Sequence, residues 1–485
     1  MEGIRINNMG NTGRAKYLIK NTFIFALSNI ATKAISFFLV PIYTAVLSTY
    51  EYGVIDLTAT VITITVPIVT LNICEAVMRF ALDKDADDTQ ITQIGTNVYL
   101  TGCIVGLLVI PICDLFENLS SHGLLIYFYM IATAGSQLYL CDLRGKELLL
   151  QYSVGNILQT FLVAVLNILF LIVFRWGFIG YFGAYTIACV ITMLYALMIG
   201  KGYRTLRPRK MDIPLFKNMA KYSLVLIPNS FMWWIMNSSD RIMVSAMVSV
   251  TANGIYAVSY KLPSIVSIAA SVFNQAWSYS AIKEEGSEDE SKFNNKMLVY
   301  LISISISIGI ALCTFMKPFL KIYVSTEYYE AWQYTPFLII GCVYLTLGTF
   351  MSTSYTVHKD SFGFLFSAMF GALFNIGLNY VLIPHIQVYG AAIATCISYI
   401  LVFVFRLIHT RKYLKYNVKN KEFIFGSIML FVVAALMFVD NIYGQIAQIV
   451  IWIISMIFYI KSEKEVILRI YSGVKKVVQN RKGID

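Results

Sequence analysis

Fourteen segments of the chain are apolar over about twenty residues each, the length that a helix needs to cross the hydrocarbon core of a bilayer. Hydrophobic residues make up 58% of the chain and charged residues 13%, a balance that excludes a soluble domain. Because lipid offers no hydrogen bonds to the backbone, each segment is expected to form a helix. The sequence therefore predicts an all-α polytopic membrane protein with 14 transmembrane helices. The predicted spans lie near 18–46, 51–76, 94–113, 123–143, 148–174, 178–200, 221–247, 252–280, 294–316, 331–354, 361–384, 387–408, 422–439 and 444–460.

Basic residues indicate the orientation of this bundle. With the N-terminus inside, 32 of the 38 Lys and Arg residues fall on the cytoplasmic side, as the positive-inside rule requires. The first twenty residues are polar and basic, so no cleavable signal is predicted and both termini are expected in the cytoplasm. Topology thus accounts for the net charge of +11, and no nucleic-acid partner is predicted.

The two halves of the chain are weakly similar to each other. A shift of 201 residues places Lys20 on Lys221 and Gly53 on Gly254. With six spans each, the halves are expected to form two pseudo-symmetric lobes of the same orientation, with a substrate site between them. The predicted domains are an N-lobe (1–200), a cytoplasmic linker (201–220), a C-lobe (221–408), a C-terminal helix pair (409–461) and a cytoplasmic basic tail (462–485) that is either an amphipathic helix or frayed.

Ionisable residues inside predicted spans indicate a functional interior. Lys33, Asp240, Arg241 and Lys261 lie in segments long enough to cross a bilayer, and charges at such depth normally face a bundle interior or a water-filled cavity. Lys33 and Lys261 have no acid nearby on their own helices, which favours an anionic ligand. The alternative is that they pair with acids on other helices, such as Asp56 or Asp240, or that Lys33 extends to the interface. Asp240 and Arg241 are adjacent and therefore need separate partners.

Other polar residues in the spans have two interpretations each. Glu75 and Arg79 share a helical face and are expected to form an ion pair. Four amides either bind sugar hydroxyls or tie helices together: Asn29, Asn237, Asn274 and Gln275.

No catalytic constellation or metal-ligand spacing is present, so the chain is not expected to be an enzyme or to carry a cofactor. A membrane-embedded glycan polymerase or ligase is disfavoured because the predicted outer loops are short. A non-transport alternative is a scaffold for glycan-assembly proteins.

Several motifs carry a family resemblance. They are Leu47-Ser-Thr-Tyr-Glu-Tyr-Gly53, Glu75-Ala-Val-Met-Arg-Phe80, Ser239-Asp-Arg-Ile242, Gly254-Ile-Tyr256, Lys261-Leu-Pro263 and Phe273-Asn-Gln-Ala-Trp277. Together with the fourteen-span plan, their order resembles the polysaccharide flippases, the Wzx-type and teichoic-acid-type exporters of the multidrug/oligosaccharidyl-lipid/polysaccharide (MOP) superfamily.

The resemblance implies a V-shaped bundle that works by alternating access in a bacterial plasma membrane. The implied substrate is an undecaprenyl-pyrophosphate-linked oligosaccharide, moved from the inner to the outer leaflet for cell-surface polysaccharide synthesis. The implied pyrophosphate ligands are Lys33, Arg79, Arg241 and Lys261, and the last helix pair, 422–460, would contact the polyprenyl chain. The protein is expected to be a monomer among membrane lipids, with glycan polymerase or assembly proteins as candidate partners.

Transport needs a driving force, because a ligand shifts a conformational equilibrium only by its differential affinity for the two states. Membrane potential or a Na⁺ or H⁺ gradient would supply it, with Asp56, Glu75 or Asp240 as ion sites. The main alternative function is a multidrug antiporter of the same superfamily, for which Asp56 is the available acid in the first lobe.

Overall fold

The computed structural model describes residues 11–83, 86–114, 122–206, 211–283, 289–358 and 360–462. Side chains are described from Ser28 onward, apart from those of residues 206, 229, 272 and 275–283. The predicted basic tail therefore lies outside the described residues, except for Ser462.

The described residues form seventeen α-helices and no strand. The helices are α1 (Asn11–Val46), α2 (Thr49–Val69), α3 (Ile73–Ala81), α4 (Asp88–Gly106), α5 (Val109–Cys113), α6 (Gly123–Gly145), α7 (Leu149–Asn167), α8 (Gly177–Ile199), α9 (Ile213–Met247), α10 (Val250–Ser259), α11 (Ser264–Lys283), α12 (Glu290–Tyr323), α13 (Thr335–Val357), α14 (Ser361–Ile386), α15 (Val388–His409), α16 (Lys421–Leu436) and α17 (Ile442–Ser462). A π-helical turn, Ile168–Val173, continues α7.

Each predicted span overlaps one of these helices or two consecutive helices. In the part of the chain that the structure describes, ten helices are long and apolar enough to cross a membrane. α16 has only 16 residues and is not among them. The prediction of an all-helical, multi-pass membrane protein is confirmed, whereas the count of fourteen transmembrane helices stays a prediction.

Two predicted spans are broken in the middle. α2 ends at Val69 and α3 begins at Ile73, and between them Leu71 and Asn72 both have φ of 51°, a conformation that few residues other than Gly adopt. The N–H group of Asn72 donates to the carbonyl of Pro67 at 2.6 Å, which closes the turn. The second break, at 260–263, separates α10 from α11 and contains Pro263, which has no N–H group to continue a helix.

Gly53 and Gly254 form a reciprocal close contact between α2 and α10. A Cβ atom on Gly53 would overlap the carbonyl oxygen of Val250, and one on Gly254 would overlap that of Thr49. Thr49 and Val250 are themselves related by the shift of 201 residues that relates the two glycines. The contact thus has local two-fold pseudo-symmetry, and only glycine lets the two backbones approach so closely.

The helices pack into two compact units. The first comprises Met1–Val258, Tyr323–Glu330 and Asn375–Ala391, and the second comprises Ser259–Ile322, Ala331–Phe374 and Ala392–Asp485. α9 and α10 thus pack within the first unit, although the sequence assigns them to the second repeat. These units group helices by packing and not by repeat, so the predicted lobes and linker stay a prediction.

Candidate functional site

The start of α2 is held by a capping box. The hydroxyl of Ser48 accepts the Glu51 N–H at 3.2 Å, and the Glu51 carboxylate accepts the Ser48 N–H at 2.9 Å. These contacts satisfy N–H groups that the first helical turn leaves without partners. Further along α2, Asp56 faces α9 with a side chain that is only 9% exposed.

Asp56 forms an ion pair with Arg241 across the α2–α9 contact. Arg241 Nη1 donates to Asp56 Oδ1 at 2.9 Å, and the Arg241 side chain is 21% exposed. A charge at this depth needs a partner because hydrocarbon solvates neither group. The partner of Arg241 is thus an acid 185 residues away, and its neighbour Asp240 makes separate contacts, as adjacent helical positions require.

Asp240 is buried, with 1% of its surface exposed. Its Oδ2 accepts the hydroxyl of Tyr256 on α10 at 2.8 Å, and its Oδ1 accepts the backbone N–H of Arg241 at 2.9 Å. The second contact is with the backbone of α9 itself, whereas the hydrogen bond from Tyr256 links Asp240 to α10. Tyr256 itself is fully buried.

Asn253 joins the same group of residues from α10. It is fully buried, and its amide donates to the carbonyl of Gly53 at 3.2 Å and to Asp56 Oδ2 at 3.5 Å. We call Asp56, Asp240, Arg241, Asn253 and Tyr256 the central polar cluster. It connects α2, α9 and α10 beside the glycine contact, so that any relative movement of these helices must break charge-assisted hydrogen bonds.

A buried amide pair extends the polar contacts to α14. The hydroxyl of Ser239 donates to Asn375 Oδ1 at 3.0 Å, and Asn379 Nδ2 donates to the same oxygen at 2.9 Å. Both asparagines are fully buried. The sequence reasoning missed them, together with Asn253 and Tyr256; the signal for the pair is two Asn residues four apart in an otherwise apolar helix.

Lys33 and Asn29 lie on an exposed polar face of α1. Asn29, Lys33 and Ser36 recur at helical spacing and are all exposed, within the segment Ser28–Val46 that is long enough to span a membrane. Lys33 forms no ion pair with any other described residue. Such a face is costly against lipid, so it favours a water-accessible surface.

Lys261 lies in the second unit, at the break between α10 and α11. Its side chain is half-buried, and its carbonyl accepts the hydroxyl of Ser264 at 2.6 Å. The N-terminus of α11 follows directly, and helix N-termini favour anions. The break thus places a cation beside a helix start, where the sequence predicts a continuous helix.

The other three predicted amide residues are Asn237, Asn274 and Gln275. Asn237 donates to the carbonyl of Trp233 at 2.6 Å, one turn earlier on α9. Asn274 is half-buried on α11. The side chain of Gln275 lies outside the described residues.

Arg79 and Glu75 do not form the expected ion pair. Arg79 Nη1 instead contacts Asp83 Oδ1 at 2.7 Å, and both side chains are about half exposed. Asp83 lies one turn beyond Arg79, past the end of α3, where a carboxylate is free to reach back to the guanidinium. Neither group is part of the central polar cluster.

Two further charged side chains, those of Asp142 and Arg406, are buried and form hydrogen bonds between helices. Asp142 is 1% exposed and contacts Lys146 Nζ at 2.6 Å, while Thr92 donates to its other oxygen at 2.6 Å. Arg406, which lies within the predicted span 387–408, is fully buried in α15, and its Nε donates to the hydroxyl of Ser367 at 3.1 Å.

Asp360 organises the connection between α13 and α14. Its Oδ1 accepts the N–H of Gly363 at 2.8 Å, while its Oδ2 accepts Lys412 Nζ at 3.0 Å and the Tyr413 hydroxyl at 2.8 Å. These hydrogen bonds, with that of Gly363 the strongest influence, lower the pKa of Asp360 to about 2.

The sequence was compared with models of protein families and with curated proteins. A family model described as "Polysaccharide biosynthesis protein" matches residues 18–279, more than half of the chain. No curated protein sequence matches the chain.

Three solved structures are similar in fold. The lipid II flippase MurJ, in an inward closed conformation, has a TM-score of 0.62 and 15% identity over 93% of this chain and 100% of its own. An inward-facing multidrug resistance MATE family transporter of the MOP superfamily has a TM-score of 0.62 and 12% identity over 84% of this chain and 96% of its own. An outward-facing MATE family transporter has a TM-score of 0.52 and 14% identity over 86% and 94%. At such identities the likeness concerns the fold and not the substrate.

The similar structures are those of a lipid flippase and of multidrug transporters. The chain therefore belongs to the polysaccharide biosynthesis protein family and has the fold of the MOP superfamily.

Proposed function

We propose that this protein is a flippase that moves an undecaprenyl-pyrophosphate-linked oligosaccharide from the inner to the outer leaflet of a bacterial plasma membrane. Membership of the polysaccharide biosynthesis family supports a lipid-linked glycan as substrate. The fold shared with the lipid II flippase MurJ supports transport of a lipid-linked precursor. Alternating access would carry the head group across, with both termini in the cytoplasm and the protein acting as a monomer.

The single observation that carries the proposal is the exposed polar face of α1 around Lys33. A cation on such a face, without an ion pair among the described residues, is suited to receive an anionic head group. Lys261 beside the start of α11 offers a second cation. Pyrophosphate recognition by Lys33 and Lys261 is thus the core of the proposal, and exposed amides such as Asn29 are suited to sugar hydroxyls.

Arg241 and Arg79 contribute differently. Arg241 is neutralised by Asp56 in the described conformation, so binding of pyrophosphate there would require exchange of partners. Arg79 is paired with Asp83. To bind pyrophosphate, Arg79 would likewise have to exchange this carboxylate for the ligand. We therefore rank both below the two lysines.

Coupling to an ion gradient is proposed at Asp240. A buried carboxylate that accepts the hydroxyl of Tyr256 has the ligand chemistry that a proton or Na⁺ needs. Asp56 is less suited because Arg241 already compensates its charge. Glu75 is half-buried on α3, away from this cluster's hydrogen bonds.

A cation-exporting antiporter is the second candidate, since a MATE transporter has the same TM-score as the flippase. A carboxylate that is not neutralised by a basic side chain, and can therefore bind an organic cation or a proton, would favour the antiporter. Asp56, the acid that the sequence offers for this role, is committed to Arg241, which favours the flippase.

The test is translocation in proteoliposomes of a fluorescent undecaprenyl-pyrophosphate oligosaccharide. Lys33→Ala and Lys261→Ala are each expected to reduce the transport rate at least tenfold, because each removes a cation that contacts the pyrophosphate. Lys217→Ala, which removes an exposed lysine of α9, is the matched control and is expected to transport normally. Export of a cationic dye by the wild type, with no movement of the lipid-linked sugar, would replace the flippase with the antiporter.

A further inference from the structure

A cavity of about 450 Å³ lies inside the first unit, among α2, α5, α6 and α9. Its wall is almost entirely apolar. Four of the residues that form it are Leu57 and Ile62 of α2, Met130 of α6 and Ile242 of α9. The cavity is separate from the central polar cluster, although Leu57 and Ile242 directly follow Asp56 and Arg241 in the sequence.

A cavity of this size and polarity requires an occupant. The cost of an unfilled apolar cavity rises with its volume, and here that volume is several times the space left by a large core side chain. Water is a poor occupant because each molecule needs two to four polar partners. Hydrocarbon is therefore the occupant that the wall chemistry favours.

Two apolar side chains that line the cavity are also exposed at the surface of the protein. They are Val61, which is 39% exposed, and Ile112, which is 51% exposed. Such side chains on a membrane-spanning protein contact the acyl chains of the bilayer. A chain can thus enter from the bilayer without passing through water.

The volume selects the kind of chain. Because a cavity of about 150 Å³ holds benzene, with six carbons, roughly 450 Å³ holds about 18 carbons. This is the size of one acyl chain of a common phospholipid and falls far short of an undecaprenyl chain. The lining residues Thr58 and Ser245 also have hydroxyls without a hydrogen-bond partner among the described residues. An ester carbonyl, which an acyl chain carries and a polyprenyl chain lacks, is a hydrogen-bond acceptor suited to such a hydroxyl.

We propose that one acyl chain of a membrane phospholipid occupies this cavity as a stable part of the α2–α9 interface. The chain supports the two helices that carry Asp56 and Arg241 and fills the space between them. This inference concerns a resident lipid and does not depend on which substrate the protein moves.

The direct experiment uses proteoliposomes that contain a phosphatidylcholine with a photoreactive diazirine in one acyl chain. After illumination, adducts are mapped by mass spectrometry. We expect adducts on Met130 and Cys113, which line the cavity and are only 2% and 5% exposed, so bulk lipid does not reach them. Ile322, which is 90% exposed, reports labelling by bulk lipid.

Cavity filling gives the matched comparison. Ala246 lies at the cavity wall and is exposed, so Ala246→Trp adds a ring there with little strain. It is expected to reduce adducts on Met130 and Cys113 at least fivefold and to leave those on Ile322 unchanged. Ala435→Trp, at an exposed alanine of α16, is expected to label like the wild type.

Three results would overturn the proposal. One is a wild type labelled at Ile322 but not at Met130 or Cys113. Another is undiminished labelling of these two residues in a folded Ala246→Trp variant. The third is labelling of the cavity by a diazirine-bearing polyprenyl phosphate and not by the phospholipid, which would make the occupant a polyprenyl chain. Should Ala246→Trp fail to fold, the labelling pattern of the wild type decides alone.

Discussion

Asp56 on α2 and Arg241 on α9 lie 2.9 Å apart, oxygen to nitrogen, and neutralise each other inside a membrane-spanning unit. Arg241 belongs to the motif Ser239–Ile242. Gly53 and Gly254, which bring α2 and α10 into contact beside the pair, belong to two further motifs. Residues of three motifs thus act together at one place in the fold.

The first prediction concerns this ion pair. Arg241→Met or Asp56→Leu is expected to lower the free energy of unfolding by about 3–5 kcal/mol, because each leaves one buried charge without its partner. The double variant is expected to lose less than either single variant, since it buries no charge. Unfolding by heat or denaturant in detergent measures the difference.

The exposed pair Arg79–Asp83 is the matched control for that prediction. With both side chains about half exposed, Arg79→Ala is expected to cost less than about 1 kcal/mol. A loss at Arg241 no larger than that at Arg79 would mean that the buried pair is not a structural requirement.

The second prediction concerns the glycine contact. Gly53→Ala and Gly254→Ala each place a Cβ on a carbonyl oxygen of the facing helix, so both are expected to lower the melting temperature or prevent folding. Gly377→Ala on α14, where a Cβ meets nothing within 4 Å, is expected to be neutral or to stabilise by up to about 1 kcal/mol. Equal melting temperatures for all three variants would contradict the close contact.

The third prediction tests Asp240 as the ion-coupling residue. Asp240→Asn keeps the size of the side chain but removes its charge, so stimulation of transport by a Na⁺ or pH gradient is expected to disappear. Tyr256→Phe removes the hydroxyl that contacts Asp240 and is expected to shift the ion dependence without abolishing it. Transport by Asp240→Asn that still responds fully to the gradient would assign coupling elsewhere.

The fourth prediction concerns pH. The folded pKa of Asp360 is about 2, below the value of about 3.9 in an unfolded chain. Its contribution to stability is therefore complete above about pH 4 and is lost as the pH falls toward 2. The melting temperature of Asp360→Asn is expected to lie below that of the wild type at pH 6, with the gap narrowing between pH 4 and 3. A gap that stays constant over this range would show that the carboxylate charge is not what stabilises this connection.

The helices were predictable because hydropathy is a local property. The predicted span 178–200 corresponds to α8 (Gly177–Ile199), and 123–143 corresponds to α6 (Gly123–Gly145). Pro67 and Pro263 indicate interrupted helices near the breaks at 70–72 and 260–263. The spans 51–76 and 252–280 were nevertheless predicted without a division, because proline is common in unbroken membrane helices as well. α1 retains its helix through Pro41.

The candidate site was predictable in part. Asp56, Asp240 and Arg241 stand out because a charge in an apolar segment is rare. Asn253 and Tyr256 do not, because uncharged polar residues are common in such segments and their hydrogen bonds are visible only once the helices are packed.

The sequence by itself determined that this chain is helical, that it crosses a membrane repeatedly and that it belongs to the polysaccharide biosynthesis protein family, because apolar length and short motifs are local properties of the chain. Only the tertiary structure decided that Arg241 pairs with Asp56, that Gly53 meets Gly254 and that α2 and α9 line one apolar cavity. The physical reason is that partners far apart in the chain are chosen by how helices pack, and packing depends on all the side chains at once.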